Sequence, residues 1–237
     1  MAAVTRLEEL RANLTAVRAR IDAAATAAGR DPADVRLLPV TKFHPASDLK
    51  LLVELGAMDV AENREQEARS KAAEVPTARI HMIGQVQTKK ANSVARWAAS
   101  VHSVDSIRLA EGLDHGVGLA LERGDRTSGE LPVYLQLSAD GDPARGGVTE
   151  ADLEELADTV EAAGNLRLAG LMVVPPLGAD PAAVFARARR LCDDLARRLG
   201  RTMELSAGMS GDLEDAVAQG SNIVRVGTGV LGARPLP

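Results

Sequence analysis

Eight short runs of β-forming residues alternate with helical segments along the chain, and this alternation constrains the fold more than any other feature. The predicted strands are 35–40, 58–61, 79–83, 101–103, 132–137, 168–172, 203–205 and 223–226. Helical periodicity predicts helices at 46–55, 65–73, 91–98, 107–123, 150–163, 181–199 and 212–219. Strands that alternate with helices form parallel sheets, and eight such units are typical of a (β/α)8 barrel.

One more helix precedes the first strand. Thr5-x-x-Glu8 is a capping box that begins it, and leucine, valine and isoleucine residues then recur at helical spacing. Only 11 residues follow Val226, so we expect no helix after the last strand and expect the N-terminal helix to fill that gap in the outer ring. An open doubly wound sheet normally needs fewer strands. We therefore predict an α/β fold, a parallel (β/α)8 barrel (TIM barrel) with an extra N-terminal helix, as one domain over residues 1–237.

Composition excludes several classes of protein. The chain has 33 acidic and 28 basic residues, a net charge of −5, which disfavours a nucleic-acid binder. No apolar run approaches the roughly 20 residues of a membrane-spanning helix. The single cysteine, Cys192, fits a reducing compartment and a helix core position. We therefore expect a cytoplasmic protein that binds neither nucleic acid nor membrane. The four histidines have no metal-ligand spacing, so no metal site is predicted.

In a (β/α)8 barrel, the functional residues lie where the strands end at the C-terminal face. The predicted strand ends carry Thr41-Lys42, Glu62-Asn63, Gly84-Gln85, Ser206-Ala207-Gly208 and, through Arg225, Gly227-Thr228-Gly229. The other lysines lie on helices (Lys50, Lys71) or at the start of one (Lys89, Lys90).

Lys42 is the most informative of these residues. A lysine at the mouth of a hydrophobic strand can form a Schiff base with a carbonyl substrate or with pyridoxal phosphate. A lysine that merely caps the strand and reaches water fits the position equally well. The Ser206 hydroxyl and the glycine-rich ends after strands 7 and 8 would suit a phosphate, although such ends are also common for steric reasons. Together they suggest a cofactor with both an aldehyde and a phosphate.

A set of motifs resembles the pyridoxal-phosphate homeostasis protein family. The motifs are VTK (40–42), AEN (61–63), HMIGQVQTKK (81–90), GLM (170–172), SAGMSGD (206–212) and RVGTGVLGAR (225–234). They span the chain from Leu37 to Arg234 in the family's order. Members of this family are single-domain relatives of the N-terminal barrel of alanine racemase, the fold-type III pyridoxal-phosphate proteins.

The resemblance implies a role for each matching residue. Lys42 would form the Schiff base, Arg225 would face the pyridine nitrogen, and Asn63 would line the cofactor cavity. Ser206, Gly227 and Thr228 would hold the phosphate. The chain departs from the family pattern at Ala61, Lys89, Arg145, Ala207 and Gly211. These departures leave the proposed contacts in place and bear on the loops around the cofactor mouth.

The implied function is a carrier of pyridoxal 5'-phosphate that acts in vitamin B6 homeostasis and delivers the cofactor to apo-enzymes. Arg225 cannot accept a proton, so it would leave the pyridine nitrogen unprotonated and disfavour transamination. In alanine racemase the second base is a tyrosine from a second domain, whereas this chain ends at Pro237 and its only tyrosine, Tyr134, is predicted inside a strand. We therefore assign no catalytic residue.

Two alternatives stay open. One is a low-activity fold-type III amino-acid racemase that takes its second acid from His44, His81 or a water molecule. The other is a class I aldolase-like barrel that uses Lys42 on a sugar phosphate. The segment Gly227-x-Gly229-x-x-Gly232 spells a dinucleotide-binding motif, but too few residues follow it for the helix and acidic residue that such a motif needs.

Overall fold

The computed structural model describes residues 4–127 and 129–234, which form one parallel sheet of eight strands. The strands are β1 (Arg36–Pro39), β2 (Asp59–Glu62), β3 (Arg79–Met82), β4 (Ser100–Val104), β5 (Leu131–Gln136), β6 (Leu166–Met172), β7 (Glu204–Ser206) and β8 (Ile223–Val226). The helices are α1 (Arg6–Ala27), α2 (Ala46–Glu54), α3 (Glu65–Glu74), α4 (Ala91–Trp97), α5 (Ile107–Glu122), α6 (Glu150–Ala162), α7 (Pro181–Leu199), α8 (Leu213–Ala218) and α9 (Thr228–Leu231). Each predicted strand and helix end lies within two residues of the observed one.

The sheet closes into a barrel. Its strand order is β1-β8-β7-β6-β5-β4-β3-β2, so β1 and β2 must meet to complete the circle. They do so through an isolated parallel bridge between Val40 and Ala61, next to which the Thr41 amide donates to the Ala61 carbonyl oxygen at 2.9 Å. The predicted (β/α)8 barrel is confirmed, and this β1–β2 seam is its most lightly bonded junction.

Helix α1 covers the barrel beside its last strands, as expected. The predicted capping box is present, with the Thr5 hydroxyl accepting from the Glu8 amide and the Glu8 carboxylate accepting from the Thr5 amide. The apolar face of α1 is buried against α8 and α9. The expectation that no helix follows the last strand was wrong, because α9 forms a single turn there. Val230 and Leu231 are buried in that turn, and one turn is enough to cover them with α1.

Aliphatic side chains fill the space between the strands and the helices, but the inside of the barrel is partly polar. Its apolar part consists of Leu38, Val40, Ala61, Tyr134, Ala169, Met172 and Ile223. Buried next to them are His102, Ser206 and Arg225. Barrel interiors are usually packed with layers of large branched residues. The polar interior here leaves a cavity at each mouth of the barrel.

Two features of the helical layer agree with the sequence analysis. Cys192 is fully buried in the core, and burial raises the pKa of its thiol to about 11, so it is a packing residue and not a nucleophile. The arginines of α7 form surface ion pairs, among them Arg187 with Glu150 and Arg198 with Asp158.

Within residues 4–127 and 129–234, no helix combines the length and apolar character that crossing a bilayer requires.

Candidate functional site

A pocket of about 270 Å³ opens at the C-terminal mouth of the barrel, next to the ends of β1 and β8. Its polar lining consists of Lys42, His44, Ser210, Arg225, Gly227, Thr228 and Arg234. Four residues predicted from the sequence therefore meet there: Lys42, Arg225, Gly227 and Thr228. An ammonium group, two guanidinium groups and two hydroxyls around one pocket form a set of donors that suits an anionic ligand.

Two predicted site residues lie outside this lining. Asn63 is exposed just after β2, and its backbone packs against Gly84, where an added Cβ would lie 2.0 Å from the Asn63 carbonyl oxygen. Ser206 is fully buried inside the barrel and accepts a hydrogen bond from Arg225 Nη1 at 2.8 Å. The structure thus places Ser206 behind Arg225, on the side away from the pocket opening.

The structure also adds residues that the sequence analysis did not assign. Ser210 lines the pocket from the same motif as Ser206, four positions further along the chain. Arg234 lines it too, with its guanidinium carbon 4.4 Å from the centre of the Phe43 ring. Ser210 lies in the motif SAGMSGD (206–212) and Arg234 in RVGTGVLGAR (225–234). The motifs therefore pointed to these segments, but the sequence alone did not show which serine faces the pocket.

Arg225 is held rigidly inside the barrel. Besides its bond to Ser206, Nη2 donates to the carbonyl oxygen of Val173 at 3.0 Å. Burial lowers the pKa of Arg225 to about 10, an effect that Asp212 opposes. The guanidinium therefore stays charged at neutral pH and presents a fixed cation to the pocket.

A chain of hydrogen bonds leads from Arg225 across the barrel interior. Ser206 Oγ lies 2.9 Å from His102 Nδ1, and His102 Nε2 lies 2.8 Å from Ser100 Oγ. Ser100 Oγ in turn lies 2.6 Å from His81 Nδ1. Burial, reinforced by the neighbouring His81 and Arg225, lowers the pKa of His102 well below its usual value, so its ring is neutral.

The far end of the chain is a carboxylate. His81 Nε2 lies 2.9 Å from an Asp59 oxygen, and Asp59 also accepts from Arg79. Although burial opposes the shift, these two partners lower the pKa of Asp59, so it stays ionised. An arginine can only donate and an ionised carboxylate can only accept. Ser206 accepts from Arg225 and gives its own hydroxyl proton to Nδ1 of the neutral His102, so His102 carries its proton on Nε2 and donates to Ser100.

A second polar cluster holds the loop that carries Lys42. The Lys71 ammonium donates to the Thr41 carbonyl oxygen at 2.8 Å, to Glu62 at 2.5 Å and to Glu67 at 2.7 Å. Glu67 also accepts from the Phe43 amide at 2.8 Å. Lys71 is 4% exposed and Glu62 is completely buried. From the sequence, Lys71 is expected to be an ordinary helix lysine, whereas in the structure it joins β1, β2 and α3.

The residue after Lys42 has an unusual backbone. Phe43 has a φ of +69°, a left-handed conformation that is strained for a bulky side chain. The hydrogen bond from its amide to Glu67 and the guanidinium groups of Arg64 and Arg234 near its ring hold it there. This turn directs Lys42 to the pocket.

Comparison with known proteins places the chain in a family. Residues 12–235 match the alanine racemase N-terminal domain family. The pyridoxal phosphate homeostasis protein of Corynebacterium glutamicum is 57% identical over 220 residues, which cover 93% of this chain and 100% of that protein. The chain is a member of the pyridoxal phosphate homeostasis protein family.

Solved structures agree with this membership. PipY of Synechococcus elongatus PCC7942, solved with PLP bound, is 33% identical with a TM-score of 0.80, covering 94% of this chain and 100% of that one. Alanine racemase from Streptomyces coelicolor A3(2) is 22% identical with a TM-score of 0.72, covering 97% of this chain and 59% of that one, and shows the shared fold. The predicted family and barrel fold are both confirmed.

The Lys71 cluster in this family member predicts a large effect of one substitution on stability. Lys71→Met removes the ammonium and leaves the buried Glu62 without its counter-ion, which we expect to lower the free energy of unfolding by about 3–5 kcal/mol. Urea denaturation measures this loss. The control is Lys50→Met, since Lys50 is exposed on α2. A double variant, Lys71→Met with Glu62→Gln, should recover part of the loss. Equal stability of Lys71→Met and the control Lys50→Met would contradict the assignment.

The hydrogen-bond chain predicts the tautomer of His102. Since Ser206 must donate to Nδ1, the ring should be neutral at pH 7 with its proton on Nε2. Long-range proton–nitrogen NMR spectra of histidine-labelled protein report this directly, and His102→Gln identifies the signal among the four histidines. A charged ring, or a proton on Nδ1, would show that Ser206 does not donate to His102.

Proposed function

We propose that this protein binds pyridoxal 5'-phosphate at the C-terminal mouth of the barrel, as a Schiff base on Lys42, and acts as a carrier in intracellular pyridoxal phosphate homeostasis. The observation that supports this most strongly is the meeting of Lys42, buried Arg225 and the hydroxyls of Ser210 and Thr228 around one pocket. Relatives named for pyridoxal phosphate homeostasis, and PipY with PLP bound, support the same ligand.

The donors in the pocket fit each part of this cofactor. The Lys42 amine is the nucleophile that would condense with the aldehyde and release water. The hydroxyls of Ser210 and Thr228, beside Gly227, are suited to a phosphate. When bound, the cofactor supplies an electrophilic carbon and an electron-accepting ring. Arg225 would donate to the pyridine nitrogen and keep it unprotonated, which weakens that acceptor and favours holding the cofactor over using it.

Delivery to apo-enzymes follows from the same chemistry. A Schiff base is reversible, so a lysine of a recipient enzyme can displace Lys42 and take the cofactor. The carrier would thereby keep a reactive aldehyde bound between its synthesis and its use. Steady turnover of any amino acid at ordinary enzymatic rates would contradict the carrier role.

One observation favours a second candidate, a racemase-like activity. His44 is 6% exposed and lines the pocket, and its buried Nδ1 lies 3.5 Å from an Asp48 carboxylate oxygen. Burial lowers its pKa, while Asp48 opposes the shift, so the ring is a neutral base. Tyr134 is not such a base, because its hydroxyl donates to Glu204 at the other end of the barrel. Exchange of the α-proton of amino acids in deuterated water, lost in His44→Gln, would establish this activity.

The Schiff base predicts a covalent adduct on one lysine. Borohydride reduction of protein incubated with pyridoxal phosphate should attach the cofactor to Lys42, because this lysine lines the pocket. The imine absorption band and the adduct should both be absent in Lys42→Ala and unchanged in Lys50→Ala. Peptide mass spectrometry locates the adduct; its presence on another lysine, with the band intact in Lys42→Ala, would remove the proposed site.

The two serines predict different effects on the phosphate. Ser210→Ala should weaken pyridoxal phosphate binding about tenfold or more, since a hydrogen bond to a charged group is lost. It should leave the affinity for pyridoxal, which has no phosphate, nearly unchanged. Ser206→Ala should change both affinities alike, because Ser206 acts through Arg225. Fluorescence titration measures all four affinities, and a phosphate-specific loss in Ser206→Ala instead would restore the role that the sequence suggested for Ser206.

A further inference from the structure

The barrel has a second cavity, at the mouth opposite to Lys42. It measures about 330 Å³ and is formed by the first residues of the strands. Small side chains line it where large branched residues would normally close a barrel, among them Ala99, Ser100 and Ala169. It does not share a single lining residue with the pocket around Lys42. A cavity of this size admits a small organic molecule.

The negative charges around this cavity already have partners. Glu204 accepts hydrogen bonds from Arg36 at 2.6 Å and from Tyr134 at 2.5 Å. Asp59 is bound by Arg79 and His81. These carboxylates therefore have little attraction left for a cationic ligand.

Arg167 differs from these paired groups. It lines the cavity, its side chain is half exposed, and its carboxylate partner Glu130 lies 3.9 Å away, beyond hydrogen-bond distance. A guanidinium with donors to spare at the rim of a cavity recognises a carboxylate through paired N–H groups. Arg36 on the same rim is already paired with Glu204, so Arg167 carries the positive charge that is available to a ligand there. The rim is thus built for a small anion.

The interior of the cavity is different from its rim. Leu38, Ala169 and Ile223 form an apolar wall, and Pro132 extends it. A phosphate ion would gain nothing from that wall, whereas a hydrocarbon tail would be buried against it. We propose that this mouth of the barrel is a second ligand site, for short-chain aliphatic carboxylates, with the carboxylate at Arg167 and the tail against Leu38, Ala169 and Ile223.

The site also touches the polar chain of the barrel. His81, Ser100 and His102 line the cavity, and the chain that they form ends on Arg225 in the other pocket. A ligand here would therefore contact residues that are linked to Arg225 through Ser206.

The single tyrosine of the sequence provides a local probe. Tyr134 lines the cavity, so protein labelled with 3-fluorotyrosine has one fluorine signal, located at the proposed site. Protein without pyridoxal phosphate is titrated with sodium acetate, sodium isovalerate and L-valine, and with inorganic phosphate. Because no cofactor is present, the result is independent of the function proposed above.

We expect a saturable shift of the fluorine signal with isovalerate, and binding at least tenfold tighter than that of acetate because of the longer tail. Comparison of isovalerate with L-valine distinguishes simple acids from amino acids as the source of the carboxylate. Arg167→Ala should weaken isovalerate binding at least tenfold, and Arg190→Ala, an exposed arginine on α7, should not. Four results would each overturn the proposal: no saturable shift with any of the three carboxylates, equal affinities for acetate and isovalerate, a response to phosphate alone, or unchanged isovalerate binding in Arg167→Ala.

Discussion

The buried ammonium of Lys71 is the contact on which both the barrel and its site depend. The β1–β2 seam has a single bridge where the other neighbouring strands have ladders or further backbone bonds, and Lys71 reinforces it from α3 by binding the end of β1 and Glu62 of β2. The same cluster, through Glu67, holds the strained Phe43 that follows Lys42. The Lys71 cluster therefore both closes the barrel and positions the candidate Schiff-base lysine.

Inside the barrel, a connected line of polar groups takes the place of apolar packing. A buried arginine and a buried histidine are costly unless every donor and acceptor is paired. Here Arg225, Ser206 and His102 pair with one another, and the line continues through Ser100 to His81 and Asp59. The benefit is a cation fixed at the pocket with a defined direction of hydrogen bonding behind it. The cost is that side chains do not completely fill the barrel interior, so a cavity remains at the opposite mouth.

Arg225 cannot transfer a proton to a ligand in the way a carboxylic acid can, and this limits the chemistry of the pocket. A carboxylate at this position would protonate a pyridine nitrogen and strengthen the ring as an electron acceptor, whereas arginine only donates. A site that binds an aldehyde strongly but activates it weakly suits storage and transfer. His44, buried at the edge of the same pocket with Nδ1 3.5 Å from Asp48, is the described residue best placed to add proton transfer to that role.

The amino-acid sequence was enough to predict the strands and helices, the barrel and four residues of the pocket, because these follow from local periodicity and from the rule that parallel strands bring their C-terminal ends together. It did not determine which serine of SAGMSGD faces the pocket, since Ser206 points inward at the end of β7 while Ser210 follows in the loop. It also missed Lys71, whose partners Thr41 and Glu62 lie on two strands that meet only when the barrel closes. The one-turn helix α9 likewise forms because α1, more than 200 residues earlier in the chain, covers Val230 and Leu231. Such features can be seen only in the folded chain, because burial and pairing depend on neighbours that are distant in sequence.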